Sequence, residues 1–213
     1  TTVKVHDKSS KVLNYVKRKG ICKNIYNDLT NAVKGSDLII IATPLSAYSN
    51  LLKKIKNNLK KNCILTDTGS AKEEINKIII KTNLKGISWI ASHPIAGTEQ
   101  SGPSAGYANL FEGRWCILSS PKKTNKTHLL SLKKFWEKLG SKVETMSFKE
   151  HDRILALTSH LPHAIAFNTV NTTFKKGQSV KQIAKFSAGG LRDFTRIASS
   201  DPLMWRDIFI DNR

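Results

Sequence analysis

The sequence is short of cysteine, of acidic residues and of long apolar runs, and each shortage excludes something. Only Cys22, Cys63 and Cys116 occur, far apart and in no Cys-x-x-Cys or Cys/His cluster. That spacing argues against a structural metal site and for a reducing compartment, the cytoplasm. The longest apolar stretch, Leu38 to Ala42, is far too short to cross a bilayer, and no charged-then-apolar leader opens the chain; no membrane partner is expected. Acidic residues number 16 against 35 Lys+Arg in 213 residues, a formal net charge of +19. Such an imbalance raises nucleic acid as a partner. The lysines, however, are dispersed along polar helix faces, as at Lys53, Lys54, Lys56, Lys60 and Lys61, and no zinc finger, RNP-like aromatic motif or segregated basic arm accompanies them. A solvated lysine-rich surface without a nucleic-acid partner is the expectation. A non-catalytic basic binding module is the alternative, and salt-dependent retention on DNA would reveal it. Internal repeats and low-complexity tracts are absent as well.

What is present is a core-forming composition, 39% hydrophobic and 24% charged, laid out in two parts. Strand-like runs at Val3–His6, Leu38–Ala42, Cys63–Thr66, Ile87–Ala91, Trp115–Leu118 and Lys142–Thr145 alternate with segments of helical apolar spacing. This alternation predicts βαβ units and a mostly parallel sheet, with Leu38–Ala42 buried on both faces. From Ser147 the pattern turns helical. Ser147 to Glu150 reads as a capping box, residues 151–174 as one long helix bent around Pro162, and Asp201-Pro202 as the N-cap and N1 of a last helix. The expected organisation is an α/β domain over residues 1–146 and a helical domain over 147–213.

The stretch at 92–106, Ser-His-Pro-Ile-Ala-Gly-Thr-Glu-Gln-Ser-Gly-Pro-Ser-Ala-Gly, leaves the Ile87–Ala91 strand. It reads as a polar, Gly-rich loop at the place where open α/β sheets carry their chemistry. Its His93 is a candidate acid or base.

Four segments together resemble the prephenate and arogenate dehydrogenases of tyrosine biosynthesis: Asp67-Thr-Gly-Ser-Ala-Lys72, Ser92-His-Pro-Ile-Ala-Gly-Thr-Glu99, Ser159-His-Leu-Pro-His163, and Gly189-Gly-Leu-Arg-Asp-Phe-Thr-Arg196 running on through Asp201-Pro-Leu-Met-Trp-Arg206. The resemblance implies a Rossmann-type NAD(P)-binding domain, a helical domain that forms a homodimer, and an active site between them. It also implies that a βα unit carrying a Gly-x-Gly-x-x-Gly turn precedes Thr1 and that further helices follow Arg213, since the chain contains no such turn. A degenerate, non-enzymatic relative is the alternative.

The activity so implied is oxidative decarboxylation of prephenate to 4-hydroxyphenylpyruvate, or of arogenate to tyrosine, with hydride transfer to NAD. It needs a proton acceptor, a cationic clamp for carboxylates and a cofactor face. His93 is the expected acceptor, neutral at an ordinary imidazole pKa of about 6.5, so that activity should fall on acidification. Ser70 is its expected companion, although Ser70-Ala-Lys-Glu73 also reads as a capping box. Arg196 is the expected carboxylate clamp, with Asp193 holding it or merely paired at i,i+3, and Arg192 as a second cation or a solvated side chain. His163 is expected to donate to substrate, Thr98 and Glu99 to line the cleft with Glu99 gating it, and Trp205 to wall the pocket or to sit in the core. His160 has a packing or hydrogen-bonding role, and no metal is expected. Asp7, ending the second Rossmann strand, would bind the adenosine ribose and favour NAD, while Lys8 beside it leaves NADP open. Thr43, Pro44, Asp67 and Gly69 complete the expected cofactor contacts. A β-hydroxyacid dehydrogenase shares the two-part plan, but no lysine stands in a matching motif.

Overall fold

The computed structural model describes residues 1–175 and 179–213. Its first part alternates strand and helix: β1 Lys4–His6, α1 Ser10–Arg18, β2 Asn24–Tyr26, α2 Leu29–Val33, β3 Leu38–Ile41, α3 Tyr48–Ile55, β4 Ile64–Asp67, α4 Glu73–Thr82, β5 Ser88–Trp89, β6 Ala91–Pro94, β7 Trp115–Ser119, α5 Lys126–Lys138 and β8 Lys142–Thr145. The strands form a β1-β2 pair and the ladders β3-β4-β5 and β6-β7-β8. All pairings are parallel except β6 with β7, which are antiparallel. The last two ladders are joined, because β5 and β6 are separated only by Ile90, whose N–H donates to the Leu65 carbonyl. β3 is less enclosed than its apolar run predicts, with Ile40 38% exposed, because β3 is the outer strand of its ladder.

Two apolar clusters sit against these ladders. Tyr48, Leu52, Ile55, Leu65 and Ile75 are completely buried in one; Ile90, Cys116, Leu118, Leu132 and Trp136 form the other. The helical spacing of Leu52 and Ile55 on α3, and of Ile75 and Ile79 on α4, delivers those side chains to one face. At about 25 cal/mol per Å² of apolar area, such side chains hold the helices on the sheet.

The helical part contains α6 Phe148–Leu155, α7 Leu161–Thr173, α8 Val180–Phe186, α9 Gly189–Ala198 and α10 Pro202–Asp211. Ser147 caps α6 by accepting from Glu150 N–H at 3.1 Å, and Asp201 caps α10 from Leu203 and Met204 N–H. Between α6 and α7 the chain stays helical but widens into a π turn at Ala156–His160. Pro162 explains it: proline offers no N–H and crowds the carbonyl four residues back, and the wider turn relieves both problems. The helical part packs on the sheet through α6, which meets α4, and through α10, which meets the turn after β3.

Candidate active site

The site is built around a buried polar framework at the ends of β4 and β6. Asp67, the last residue of β4, is inaccessible. Its Oδ2 accepts from Lys72 Nζ at 2.7 Å, Tyr48 OH at 3.0 Å and Gly69 N–H at 3.0 Å, and its Oδ1 accepts from Ser92 N–H at 3.1 Å. Lys72 is 1% exposed and also donates to the Ser92 carbonyl at 2.7 Å. Burial pulls its ammonium below the ordinary lysine value, with Asp67 opposing that shift. Ser92 Oγ meets Thr66 Oγ1 at 2.6 Å and accepts from Trp136 Nε1 at 3.1 Å. Each strand end is thereby pinned by hydrogen bonds that exclude water.

Asp67, assigned to the cofactor, belongs instead to this framework. All the contacts of Asp67 are internal, so its carboxylate does not reach out to a ligand. A Cβ on Gly69 would lie 2.6 Å from Leu45 Cδ2 and 2.9 Å from Asp67 Oδ2, so glycine is required there by packing.

His93 lies within β6 and not on the loop, because the strand runs on to Pro94. The His93–Ile117 register and the Ile95 N–H bond to the Trp115 carbonyl carry the antiparallel pairing through this point. Ser92 N–H turns away from β7 toward Asp67, so by strand alternation the donor-less nitrogen of Pro94 also points away from β7 and costs no ladder bond. His93 is 8% exposed. Its Nδ1 is 2.8 Å from His151 Nε2, and His151 Nδ1 is 2.7 Å from Asp152 Oδ1. Its Nε2 has no protein partner among the described residues and is not a sealed-off atom. Burial, then the charge of Lys72 and the neighbouring His151 and His160, push His93 well below the ordinary imidazole range. The expected base of ordinary pKa is therefore replaced by one that acid reaches only at lower pH.

Asp152 comes from the helical part and caps α4. Its carboxylate accepts from Lys72 N–H at 2.8 and 3.1 Å and from Glu73 N–H at 2.8 Å. The capping box expected at Ser70–Glu73 is absent, because α4 begins at Glu73 with Asp152 satisfying its first donors. Ser70 is half-buried on the turn between β4 and α4, with no side-chain hydrogen bond among the described residues. Its hydroxyl is free for a ligand.

A second group stands at the rim. His163 on α7 stacks on Trp205 with centroids 3.6 Å apart and an 18° interplanar angle, and its Nδ1 faces the Ser159 carbonyl at 2.9 Å. The carbonyl requires Nδ1 to carry the proton, which leaves Nε2 as a bare acceptor; in its neutral form His163 can receive a hydrogen bond, not donate one. Trp205 is 6% exposed and sits in the core, supporting His163. Arg196 Nη1 pairs with Glu99 Oε1 at 2.6 Å, joining α9 to the loop after β6. Both the backbone at Glu99 and Arg196 hold the Glu99 carboxyl below the usual range. Asp193, expected to hold Arg196, makes no ion pair with it among the described residues; Glu99 takes that position. Arg192 and Asp193 are exposed, as is Thr98, whose Oγ1 accepts from Gln100 N–H at 3.2 Å. His160 is buried, with Nδ1 2.9 Å from Asn212 Nδ2, and burial pushes its pKa down to about 4.

On the separate β1-β2 pair, Asp7 follows β1 directly. One of its oxygens accepts Ser9 N–H at 2.7 Å, and the other has no protein partner among the described residues. Thr43 and Pro44 are exposed just beyond β3. A carboxylate with a free oxygen at a strand's C-terminal end suits a ribose diol, so these residues fit the adenosine end of a dinucleotide.

Sequence reasoning missed His151, Asp152 and Lys72. Lys72 was inside a recognised segment, but only the fold shows that it turns back onto the strand end. His151-Asp152 follows the cap of α6 and carries no spacing signal toward His93, 58 positions earlier.

Residues 1–145 match the family described as prephenate dehydrogenase, nucleotide-binding domain, and residues 147–213 match prephenate dehydrogenase, dimerization domain. The chain is 37% identical over 213 residues to a cyclohexadienyl dehydrogenase of Zymomonas mobilis, covering 99% of this chain and 72% of that protein. It is 32% identical to a prephenate dehydrogenase of Bacillus subtilis, covering 91% of this chain and 53% of that one, so it spans about half the length of that relative. Among solved structures it resembles the prephenate dehydrogenase of Aquifex aeolicus in complex with hydroxyphenyl propionate and NAD+, with a TM-score of 0.87 at 34% identity over 97% of this chain and 72% of that one.

Proposed function

This chain belongs to the prephenate dehydrogenase family, and from that premise we propose that it converts prephenate to 4-hydroxyphenylpyruvate by NAD-dependent oxidative decarboxylation, a step of tyrosine biosynthesis. The observation that carries the reading is His93: a buried, neutral imidazole, anchored through Nδ1, with an Nε2 that is unbonded among the described residues.

NAD, when bound, supplies the hydride acceptor. His93 Nε2 accepts the proton of the ring hydroxyl as hydride leaves the hydroxyl-bearing carbon. The carbonyl formed there is conjugated through the dienone to the quaternary carbon, so the carboxylate on that carbon is placed like that of a vinylogous β-keto acid. The C–COO⁻ bond breaks, its electrons complete the aromatic ring, and CO2 departs. Ser70 holds the hydroxyl in line with His93. Arg196 clamps a substrate carboxylate once Glu99 yields its place, so Glu99 acts as the gate, with Arg192 as a second cation. His163, steadied by Trp205, accepts a hydrogen bond at the same end, and Thr98 lines the loop. Asp7 binds the adenosine ribose and disfavours a 2′-phosphate, while Thr43 and Pro44 border the cofactor.

Residues 1–146 act as the nucleotide domain and residues 147–213 as the helical dimerisation domain of a homodimer. Support for the dimer comes from α7, α8 and α10, which leave Leu161, Ile165, Phe186 and Leu203 exposed by 47% or more. Three free cysteines, two of them buried, suit the reducing cytoplasm. Among the described residues no helix is long and apolar enough to cross a membrane.

The test is NADH formation by the complete protein with prephenate and with arogenate. The proposal requires kcat/KM to favour prephenate. A preference for arogenate would reassign the substrate, and turnover of neither would refute the proposal.

A further inference from the structure

We propose that Asp152 and His151 form a relay that fixes the tautomer of His93 and carries away the charge it acquires. The inference deepens the proposed function, because it takes His93 as the base.

The direction of the chain follows by elimination. Among the described residues the Asp152 carboxylate faces only donors: Lys72 N–H on both oxygens, Glu73 N–H on Oδ2, and the His151 ring on Oδ1. The hydrogen between Asp152 and His151 is therefore the imidazole's, on Nδ1. A neutral His151 then has a bare lone pair at Nε2. The 2.8 Å contact from that nitrogen to His93 Nδ1 requires His93 to donate. His93 is thus the Nδ1–H tautomer, with its lone pair at Nε2, the nitrogen that no group among the described residues takes. The opposite tautomer would point a hydrogen at the substrate hydroxyl and could not accept its proton.

The same chain accommodates the charge. When the hydroxyl proton bonds to His93 Nε2, the ring becomes an imidazolium beside the buried ammonium of Lys72. The His93 Nδ1–H bond breaks as an Nε2–H bond forms on His151. His93 returns to neutral with its proton on Nε2, and the positive charge rests on His151 against Asp152, which takes no proton itself. The other titratable groups around this pair are Asp67 and Lys72 from the β4–α4 side and His160 from the π turn. Burial and Lys72 disfavour charge on both rings and His160 disfavours it on His93, whereas Asp152 and Asp67 favour it on His151. His151 and Asp152 touch neither substrate nor cofactor in this scheme and are positioning residues. The arrangement also links the two parts of the chain: Asp152 from α6 caps α4 and orients a base on β6, so misdocking of α6 would disarm the base.

The test is Asp152→Asn in the complete protein. The asparagine oxygen can keep capping α4 while its amide donates to His151 Nδ1. That reverses the chain, placing hydrogen on His151 Nε2 and then on His93 Nε2. The expected result is a kcat fall of about 10²–10⁴-fold, by analogy with tautomer reversal in a Ser-His-Asp triad, with KM for prephenate within threefold. The independent readout is nitrogen NMR of histidine-labelled protein without substrate. Wild type should show His93 protonated at Nδ1 and bare at Nε2, and the variant should show the reverse. Wild-type His93 protonated at Nε2, or an Asp152→Asn variant with unchanged tautomer and kcat within twofold, would overturn the relay. If Asp152→Asn does not fold, the wild-type spectrum decides alone. A wild-type protein with the Nδ1–H tautomer that oxidised neither prephenate nor arogenate would uphold the relay's geometry and refute the activity.

Discussion

Lys72→Met removes the cation at the centre of the framework and should be the most destabilising single change in the α/β part. Lys72 is 1% exposed and makes two bonds of 2.7 Å, to Asp67 Oδ2 and to the Ser92 carbonyl. After the substitution Asp67 keeps Tyr48 OH, Gly69 N–H and Ser92 N–H but has lost its counter-charge. Breaking a buried pair by removing one partner costs about 3–5 kcal/mol. In a domain of this size each kcal/mol moves Tm by roughly 2–4 °C, which predicts a fall of roughly 6–20 °C. Thermal unfolding by circular dichroism and a urea titration at pH 7 would measure it, with the urea m-value unchanged. Asp67→Asn in the same chain removes the stranded charge and keeps an acceptor for two of the three donors. The double variant should therefore recover about 0.5–3 kcal/mol of the loss, the range of a typical coupling between contacting residues. A Lys72→Met cost below about 1 kcal/mol would refute the reasoning, since that is the scale of an exposed pair.

Two further predictions concern the rim and the buried histidines. Arg196→Ala, which removes the clamp and the partner of Glu99, should raise KM for prephenate by about 10- to 150-fold, the value of a charge-assisted hydrogen bond, and should change kcat less; an unchanged KM in steady-state kinetics would exclude Arg196 from substrate binding. His160 has a folded pKa of about 4, below the unfolded value near 6.5, so its neutral form is favoured by folding. The corresponding stability is complete above pH 6.5 and lost as pH falls toward 4, with about 2 kcal/mol gone by pH 5. His93 and His151 shift in the same direction and add to the loss. Urea midpoints at pH 7 and pH 5 would check this; equal midpoints would contradict the buried neutral state.

Much of the architecture was legible because period and punctuation agree with the final packing. The alternation of apolar strands with Leu52-Ile55 and Ile75-Ile79 spacing, the Ser147 and Asp201 caps, and the switch to helices after Thr145 all rest on local chemistry. What escaped depends on long-range partners. Nothing local says that β6 turns antiparallel to β7 and carries His93 inside a strand. Nothing near Ser70 says that its expected cap is replaced by Asp152, 80 positions away from Lys72. The resemblance places Asp67 among the cofactor contacts. The fold instead turns that carboxylate inward to Lys72 and Tyr48, a choice fixed by tertiary burial. Arg196 was identified from its residue type, but its partner Glu99 is 97 positions away, and the nearby Asp193 was the wrong candidate.

The central claim is that the unbonded Nε2 of a neutral His93 takes the hydroxyl proton. His93→Asn in the complete protein, assayed for NADH formation from prephenate at pH 7.5, tests it most directly. The predicted result is a kcat lowered by about 10²–10⁴-fold, the contribution of a general base, with KM for prephenate within threefold. A kcat within threefold of the wild type would contradict it.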